Sequence, residues 1–487
     1  MKTKLFLLAG FLVTNFINAQ WTQVGEYIHG EGEGDRFGTA ISLSSDGTII
    51  AVGSAVNDTN GFNSGQVKVY KNESGTLTQI GEDFLGEAEY DELGEAVSLN
   101  GDGSMIAIGV PNNDENGDDS GVVRFYKNES DIWTQMDNDI HGEIAGEYFG
   151  SSVSLSNDGS VVVVGNGDNE SHIRVYKNES NSWTKIADFV GGKKDGHIDV
   201  MCLSGDGNTL AIRGPYNEET DINPIRIYKN ISGIWTLIGE NIQGEIPGYS
   251  SFSVSLNNDG SILAIGEPFY YEGENDYSGV VKVYKYESGE WAQIGNDIYG
   301  TNYNSDFFGE AVSLSGDGST LAISNDVYYS NNLYFSGQVR VYKNMSDTWT
   351  ELGGGFYGDD YDRLGHSLSL NNDGSVLAFG VPGDGFFSYS NTNGYVGVYS
   401  FDMSLTTRDI FSNEIVMYKS SDSQITIIGI QGKGEIKLYS IVGKEVYNST
   451  IQSNGLTKID LPVLSKGIYI VKLKSEVGEK TKKIILK

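Results

Sequence analysis

One short pattern, Leu-x-x-Asp-Gly, recurs seven times, with its aspartate at Asp46, Asp102, Asp158, Asp206, Asp259, Asp317 and Asp373. Successive aspartates lie 56, 56, 48, 53, 58 and 56 residues apart. That period is too long for leucine-rich or paired-helix units and fits a propeller blade. A residue that recurs at one place in every unit is there for structure. Specificity must then be sought where the units differ.

One unit shows what repeats. Leu93–Asn100, Ser104–Val110, Gly121–Lys127 and Trp133–Met136 are four short runs rich in β-branched and aromatic residues, separated by Asp-Gly or Asn/Ser turns. Such runs predict a four-stranded antiparallel meander. The first two are nearly all apolar, as strands covered on both faces are, whereas Val67-Lys-Val-Tyr70 and Val339-Arg-Val-Tyr342 alternate. The first two strands are therefore expected inside and the last two outside.

Counting the fourth strand settles closure. It recurs at Trp21, Leu77, Trp133, Trp183, Trp235, Trp291 and Trp349, one copy standing ahead of the first Asp-Gly turn and none following Tyr395–Tyr399. Units and strands balance only if Trp21–Val24 joins the last blade, which also removes two exposed sheet edges. The expected fold is all-β: a seven-bladed β-propeller over 20–402, closed by its N-terminal strand, with a further small domain behind it.

The ends read differently. Lys2 and Lys4, an apolar run Leu5–Val13 and Ile17-Asn-Ala19 form a signal peptide over 1–19, too short in its apolar core to span a bilayer. No transmembrane segment follows. Residues 20–404 carry 18 basic and 58 acidic groups, net −40, while the tail from Leu405 carries 13 and 8, net +5. The acidic field repels nucleic acid and anionic lipid. The single cysteine, Cys202, excludes an internal disulfide and stands where other units have Ser98 and Ser154, so it reads as a packed thiol.

The segments Asp35-Arg-Phe-Gly38, Asp91-Glu-Leu-Gly94, Glu147-Tyr-Phe-Gly150 and Asp306-Phe-Phe-Gly309, with Ile108-Gly-Val-Pro111 and Ile265-Gly-Glu-Pro268, resemble the FG-GAP repeat of integrin-α-type propellers. That resemblance implies a calcium loop with oxygen ligands at positions 1, 3, 5 and 9. Here Ser98 falls at position 1 and Ile106 at position 9, so the ligand set is incomplete and the Asp-Gly segment reads as a tight hairpin turn. The tail, with a linker over 403–412 and a domain over 413–487, shows alternating runs expected to form a small β-sandwich. Its Leu464-Ser-Lys-Gly-Ile-Tyr-Ile-Val-Lys-Leu473 and terminal Lys-Lys-Ile-Ile strand resemble the C-terminal sorting domain of the type IX secretion system of Bacteroidota. The resemblance implies the type IX machinery as a partner and a secreted or outer-membrane surface location.

Candidate chemistry is sparse. None of the five histidines, His366 included, stands near a nucleophile signature, and no His/Cys metal spacing occurs. Asn72, Asn128, Asn178, Asn230 and Asn344 begin glycosylation sequons that recur at one hairpin, which reads as turn chemistry. Carboxylates gather on one rim: Glu31 and Asp35, Glu87 and Asp91, Glu143 and Glu147, Asp359, Asp360 and Asp362 on the loops leading into blades, and the loop Asn112–Asp119. Two readings stay open there: a solvated surface with aspartates capping turns, and calcium held by Asp114, Glu115, Asp118 and Asp119. No other cofactor is expected.

The loops of the last three units turn long and aromatic, with Tyr270, Tyr271 and Tyr277, Tyr328, Tyr329, Tyr334 and Phe335, and Phe386 and Phe387. Such rings suit a glycan or protein ligand, or they pack the shoulder of the ring. The expected function is a secreted or surface binding and adhesion protein, not an enzyme. The rivals are a structural matrix component and a glycosidase- or lyase-type enzyme, which should show repeat-breaking acid or base residues at one mouth of the axial channel. The break visible in sequence is the fourth unit, where His197-Ile-Asp199 replaces Phe-Gly behind Lys193-Lys194.

Overall fold

The β-branched and aromatic runs do form strands, and no helix occurs among the described residues. The computed structural model describes residues 21–136, 138–167, 172–191, 200–215, 223–244, 253–270, 278–300, 307–326, 335–383, 393–401, 416–421, 424–440, 443–462, 464–475 and 478–486. Residues 1–19, expected as a leader, and 403–412, expected as a linker, lie outside them, and no helix among the described residues is long and apolar enough to cross a membrane. The chain divides into a unit Trp21–Phe401 and a second one holding the residues from Asp402 onward.

Among the described residues, Trp21–Phe401 holds seven antiparallel sheets. The first is ordered Ala40–Leu43, Ile49–Ser54, Gln66–Glu73, Thr76–Gln79. A further two-residue strand, Phe84–Leu85, pairs the free end of the third. The pattern restarts at Val97, Ser152, Met201, Ser253, Ala311 and Leu368. In the last sheet, Tyr395–Ser400 takes its outer partner from the N-terminus, with Thr22 opposite Ser400 and Gln23 opposite Tyr399. The closing strand inferred from counting is therefore in place.

The turns behave as turns. Asp46 Oδ1 accepts from the Thr48 N–H at 2.9 Å and from the Thr48 and Ser44 hydroxyls, and Gly47 sits at φ 72°. The other six aspartates likewise accept the N–H two residues on. Burial works against these charges, but the donors outweigh it and hold carboxyls such as Asp46 and Asp158 below the usual range.

Adjacent sheets are tied in a closed cycle. The Leu99 N–H donates to Ser42 Oγ at 3.0 Å, Leu155 to Ser98, Leu203 to Ser154, Leu256 to Cys202 Sγ at 3.3 Å, Leu314 to Ser255, Leu370 to Ser313, and Leu43 back to Ser369 at 3.3 Å. The apolar core lies between sheets rather than within one. Phe37 of the lead-in loop and Leu43, Ile50 and Val52 of the first sheet pack with Val24, Ala378, Val396 and Val398 of the last.

The third strand departs from expectation. Its alternation suggested an outer strand with one wet face, yet Gln66–Tyr70 is buried throughout, Lys68 included. A cation removed from water must be paired. Lys68 Nζ sits 2.7 Å from Glu31, Arg124 reaches Glu87 and Glu115 at 2.9 Å each, and Arg174 reaches Glu147 at 2.5 Å.

The tail departs from expectation in its strand lengths. Its five strands are hydrogen-bonded as one sheet, ordered Val416–Ser421, Gln424–Ser440, Gly467–Ser475, Gly478–Leu486, with Glu445–Asp460 on the second. Runs that read as separate strands are one 17-residue strand, because the glycines between them give a register shift between Ile428 and Ile430 instead of a stop. Ile425, Ile436, Leu438, Ile459, Val471 and Leu473 form its core.

Candidate functional site

At the Asp-Gly end, the turn tips bond to one another in a second closed cycle. Ser45 N–H donates to Gly101 O, Gly101 to Asn157, Asn157 to Gly205, Asp206 to Asn258, Asn258 to Gly316, Gly316 to Asn372, and Asn372 to Ser45, all at 2.7 to 2.9 Å. Asn157 Nδ2 donates to Asn258 Oδ1 at 3.2 Å, and Asn258 Nδ2 to Asn372 Oδ1. A Cβ at Gly205 or Gly316 would run into these amides. Three asparagines thus fill this end, with glycines between them making room. Any ligand site on the axis belongs at the opposite end, where the lead-in loops and the loops between second and third strands gather.

Most carboxylates of that rim are already engaged. Asp35 accepts from the Gly32 N–H at 2.7 Å and Asn57 Nδ2 at 2.8 Å, Asp91 from the Glu87 and Ala88 N–H groups, and Asp362 from the Asp359 N–H and the Tyr395 hydroxyl. Glu31, Glu87 and Glu143 hold the buried cations or Lys185. The solvated, turn-capping reading accounts for this rim.

The calcium candidates do not converge either. Asp114 Oδ1 accepts the Asp119 N–H at 2.8 Å, Glu115 pairs with Arg124 at 2.9 Å and faces His141 at 3.5 Å, and Asp119 takes the Tyr148 hydroxyl at 3.3 Å, while Asp118 is exposed. Asp58 and Asn63 repeat the Asp114 and Asp119 bond in the first sheet, so the loop is a repeated structural element. Among the described residues no group of three or more His, Cys, Asp or Glu side chains is placed to hold a metal ion.

Of the aromatic candidates, Tyr270 and Phe335 are described; Tyr271, Tyr277, Tyr328, Tyr329, Tyr334, Phe386 and Phe387 lie outside the described residues, as do Lys193, Lys194, His197 and Asp199. Tyr270 packs 5.8 Å from Tyr299, whose hydroxyl donates to Asp297 at 3.0 Å, and Phe335 stacks 6.3 Å from Tyr361. Both are half-buried at the loop end of the fifth and sixth sheets.

The strongest break in the repeat is one that sequence reasoning missed. Where other second strands end Gly109-Val-Pro111, Gly266-Glu-Pro268 or Gly380-Val-Pro382, the sixth ends Ser324-Asn-Asp326. Asp326 is fully buried. Its Oδ2 accepts from Arg363 Nη2 at 2.5 Å and His366 Nδ1 at 2.6 Å, both carried by the loop leading into the seventh sheet. Its N–H lies 3.3 Å from Glu310 Oε2. Glu310 and His366 occupy one repeat position, directly after the Phe-Gly or Leu-Gly pair, held elsewhere by Thr39, Glu95 and Ser151.

Electrostatics separates the two acids. Glu310 is exposed, so a ligand can reach it, while the neighbouring chain desolvates its carboxyl. Burial first and the Asp326 charge next push its carboxyl well above the usual range. Burial acts on Asp326 too, but hydrogen bonds from His366 and Glu310 and the Arg363 charge hold it well below. The two acids are therefore coupled, with the proton held more tightly on the Glu310 side. In the second sheet Glu92 is raised to about 7 by burial and then by Glu95. A cleft of about 510 Å³ opens elsewhere, beside the closing strand at Gly25–His29 and Gly75–Leu77, and none of these perturbed acids lines it.

Comparison with known proteins extends this picture at both ends. No curated protein matches the sequence. The fold resembles the solved WD40 repeats of RRP9, with 11% identity, 79% of this chain and 100% of that chain covered and a TM-score of 0.51, which shows a β-propeller-like fold and nothing of function. A putative 6-phosphogluconolactonase from Bacteroides uniformis aligns at 13% identity, covering 68% and 88%, with a TM-score of 0.48. Residues 420–487 match the secretion system C-terminal sorting domain, and this tail directs the chain through the type IX machinery to the cell surface or the medium.

Proposed function

We propose that Trp21–Phe401 is a seven-bladed propeller of the FG-GAP, integrin-α-like kind that is exported to bind a glycan at the mouth opposite the asparagine plug. The seven sheets and the two closed hydrogen-bond cycles support the blade count. One observation carries the binding reading. The repeat breaks where sheets six and seven meet, and the break places Glu310, Asp326, Arg363 and His366 together at that mouth. Carbohydrate hydroxyls both donate and accept, and such a mixed set of donors and acceptors satisfies them. Tyr270 and Phe335 on the flanking loops add aromatic surface for stacking on sugar rings. Calcium is not needed for this reading.

A glycan array and a cell-adhesion assay, run on the full chain with and without a chelator, test it. The expected result is glycan binding that falls at least tenfold in Glu310→Gln and in Tyr270→Ser, with unchanged melting. Binding to a protein but no glycan, or unchanged binding in both variants, refutes it.

A further inference from the structure

We infer that Glu310 and His366 form a general acid–base pair that hydrolyses acyl esters on the hydroxylated ligand proposed above, and this rests on that reading of the mouth. The two groups sit at equivalent positions of neighbouring sheets and share one organiser, Asp326. Asp326 is fully buried and tied to Arg363 and His366, so it cannot meet a substrate. It is a positioning residue. By accepting the Nδ1–H of His366 at 2.6 Å, it fixes the tautomer whose basic lone pair is on Nε2, and Nε2 has no partner among the described residues. By lying against Glu310, its charge raises the proton affinity of a carboxyl that solvent can reach. An acid and a base held apart in this way by environment are what proton-transfer catalysis requires.

The hydroxyl nearest in sequence, two residues before Asp326, does not compete with water. Ser324 is buried, and a Cβ on Gly365 would fall against it. Water attacks the ester carbonyl carbon while its proton passes to His366 Nε2. The acyl C–O bond breaks, and the departing alkoxide oxygen takes the proton of Glu310. The proton on His366 returns to Glu310 through solvent, so ester and water give acid and alcohol with no redox change. A glycosidic bond suits this set less well, because acetal hydrolysis uses a second free carboxylate as base or nucleophile, and Asp326 is engaged.

The full chain is incubated with 4-nitrophenyl acetate and with acetylated xylan, acetate release is followed at pH 7, and xylan binding is measured by calorimetry. Release above the buffer rate is expected and, at xylan concentrations that saturate each variant, falls about 10²-fold or more in both Glu310→Gln and His366→Gln while melting persists. Xylan binding without release, or variants that release acetate at the parent rate, overturn the acid–base pair and leave the binding reading standing. Absence of binding to acetylated xylan and to every array glycan overturns both.

Discussion

Replacing Trp21 by alanine measures what closure of the ring is worth. Trp21 is 6% exposed, its Nε1–H donates to Leu352 O at 3.1 Å, and its ring packs 5.2 Å from Phe401 and 6.3 Å from Phe356. It stands on Gly353 as Trp291 stands on Gly239 and Trp349 on Gly295, so it joins the last sheet to the sixth. A tryptophan buries roughly 200 Å², worth about 5 kcal/mol at about 25 cal/mol per Å², and truncating one in a core costs about 3–5 kcal/mol. A loss of about 4 kcal/mol is expected. For a unit of about 380 residues the unfolding entropy is roughly 0.8 kcal/mol per kelvin, so the melting temperature should fall by about 5 °C. Urea unfolding followed by near-UV circular dichroism reads the cost. Because the edge is short, pairing through Thr22 and Gln23, a Val24 N–H bond to Val398 O and a second two-residue pairing at Ile28–His29, the parent's single transition should also lose slope as this edge detaches early. A cost below about 1 kcal/mol with unchanged slope would refute closure by the N-terminal strand.

Three further outcomes follow from the same geometry. Burial pushes the Cys202 thiol up to about 11, so dithionitrobenzoate should react with it only on unfolding, and Cys202→Ser, which restores the acceptor used by the other six sheets, should melt within about 2 °C of the parent. Gly316→Ala should cost about 1–3 kcal/mol in urea unfolding, since its Cβ meets the Asn372 and Asn258 amides; an unchanged midpoint would show that the plug yields. Glu92 binds its proton more tightly folded than unfolded, so its contribution is fully present below about pH 4.5 and is lost as pH rises to about 7. Because Glu92 is partly exposed, only about 1–2 kcal/mol of the parent's decline between pH 5 and pH 7.5 should vanish in Glu92→Gln, and equal declines would exclude the shift.

Much of the architecture was legible because each unit repeats the same local solution. An Asp-Gly turn, an apolar run and a Trp-Thr-Gln strand each fix their own structure within a few residues, and counting them was enough to predict that Trp21–Val24 would close the last sheet. The third strand misled because alternation reports side-chain polarity, while the partners that let Lys68 and Arg124 go underground, Glu31 and Glu87, lie 37 residues upstream. The tail misled for a related reason: glycines between Ile428 and Glu435 read as a break, but continued pairing with Glu445–Asp460 along one edge absorbs them through a register shift.

The candidate site was the least legible part. The signal was present, in the exchange of Gly-x-Pro for Ser324-Asn-Asp326, but a lone aspartate at a strand end reads as a turn cap. Sequence by itself determined the number of units, the turn chemistry, the route of export and the regions of excess negative charge, since these depend on residue types at short range. Tertiary structure alone decided which carboxylates are engaged and which are not. It brought Glu310, Asp326, Arg363 and His366, spread over 57 positions of chain, against one another. A carboxyl's charge and reach are set by its desolvation and its neighbours, and both come into being only when the ring closes.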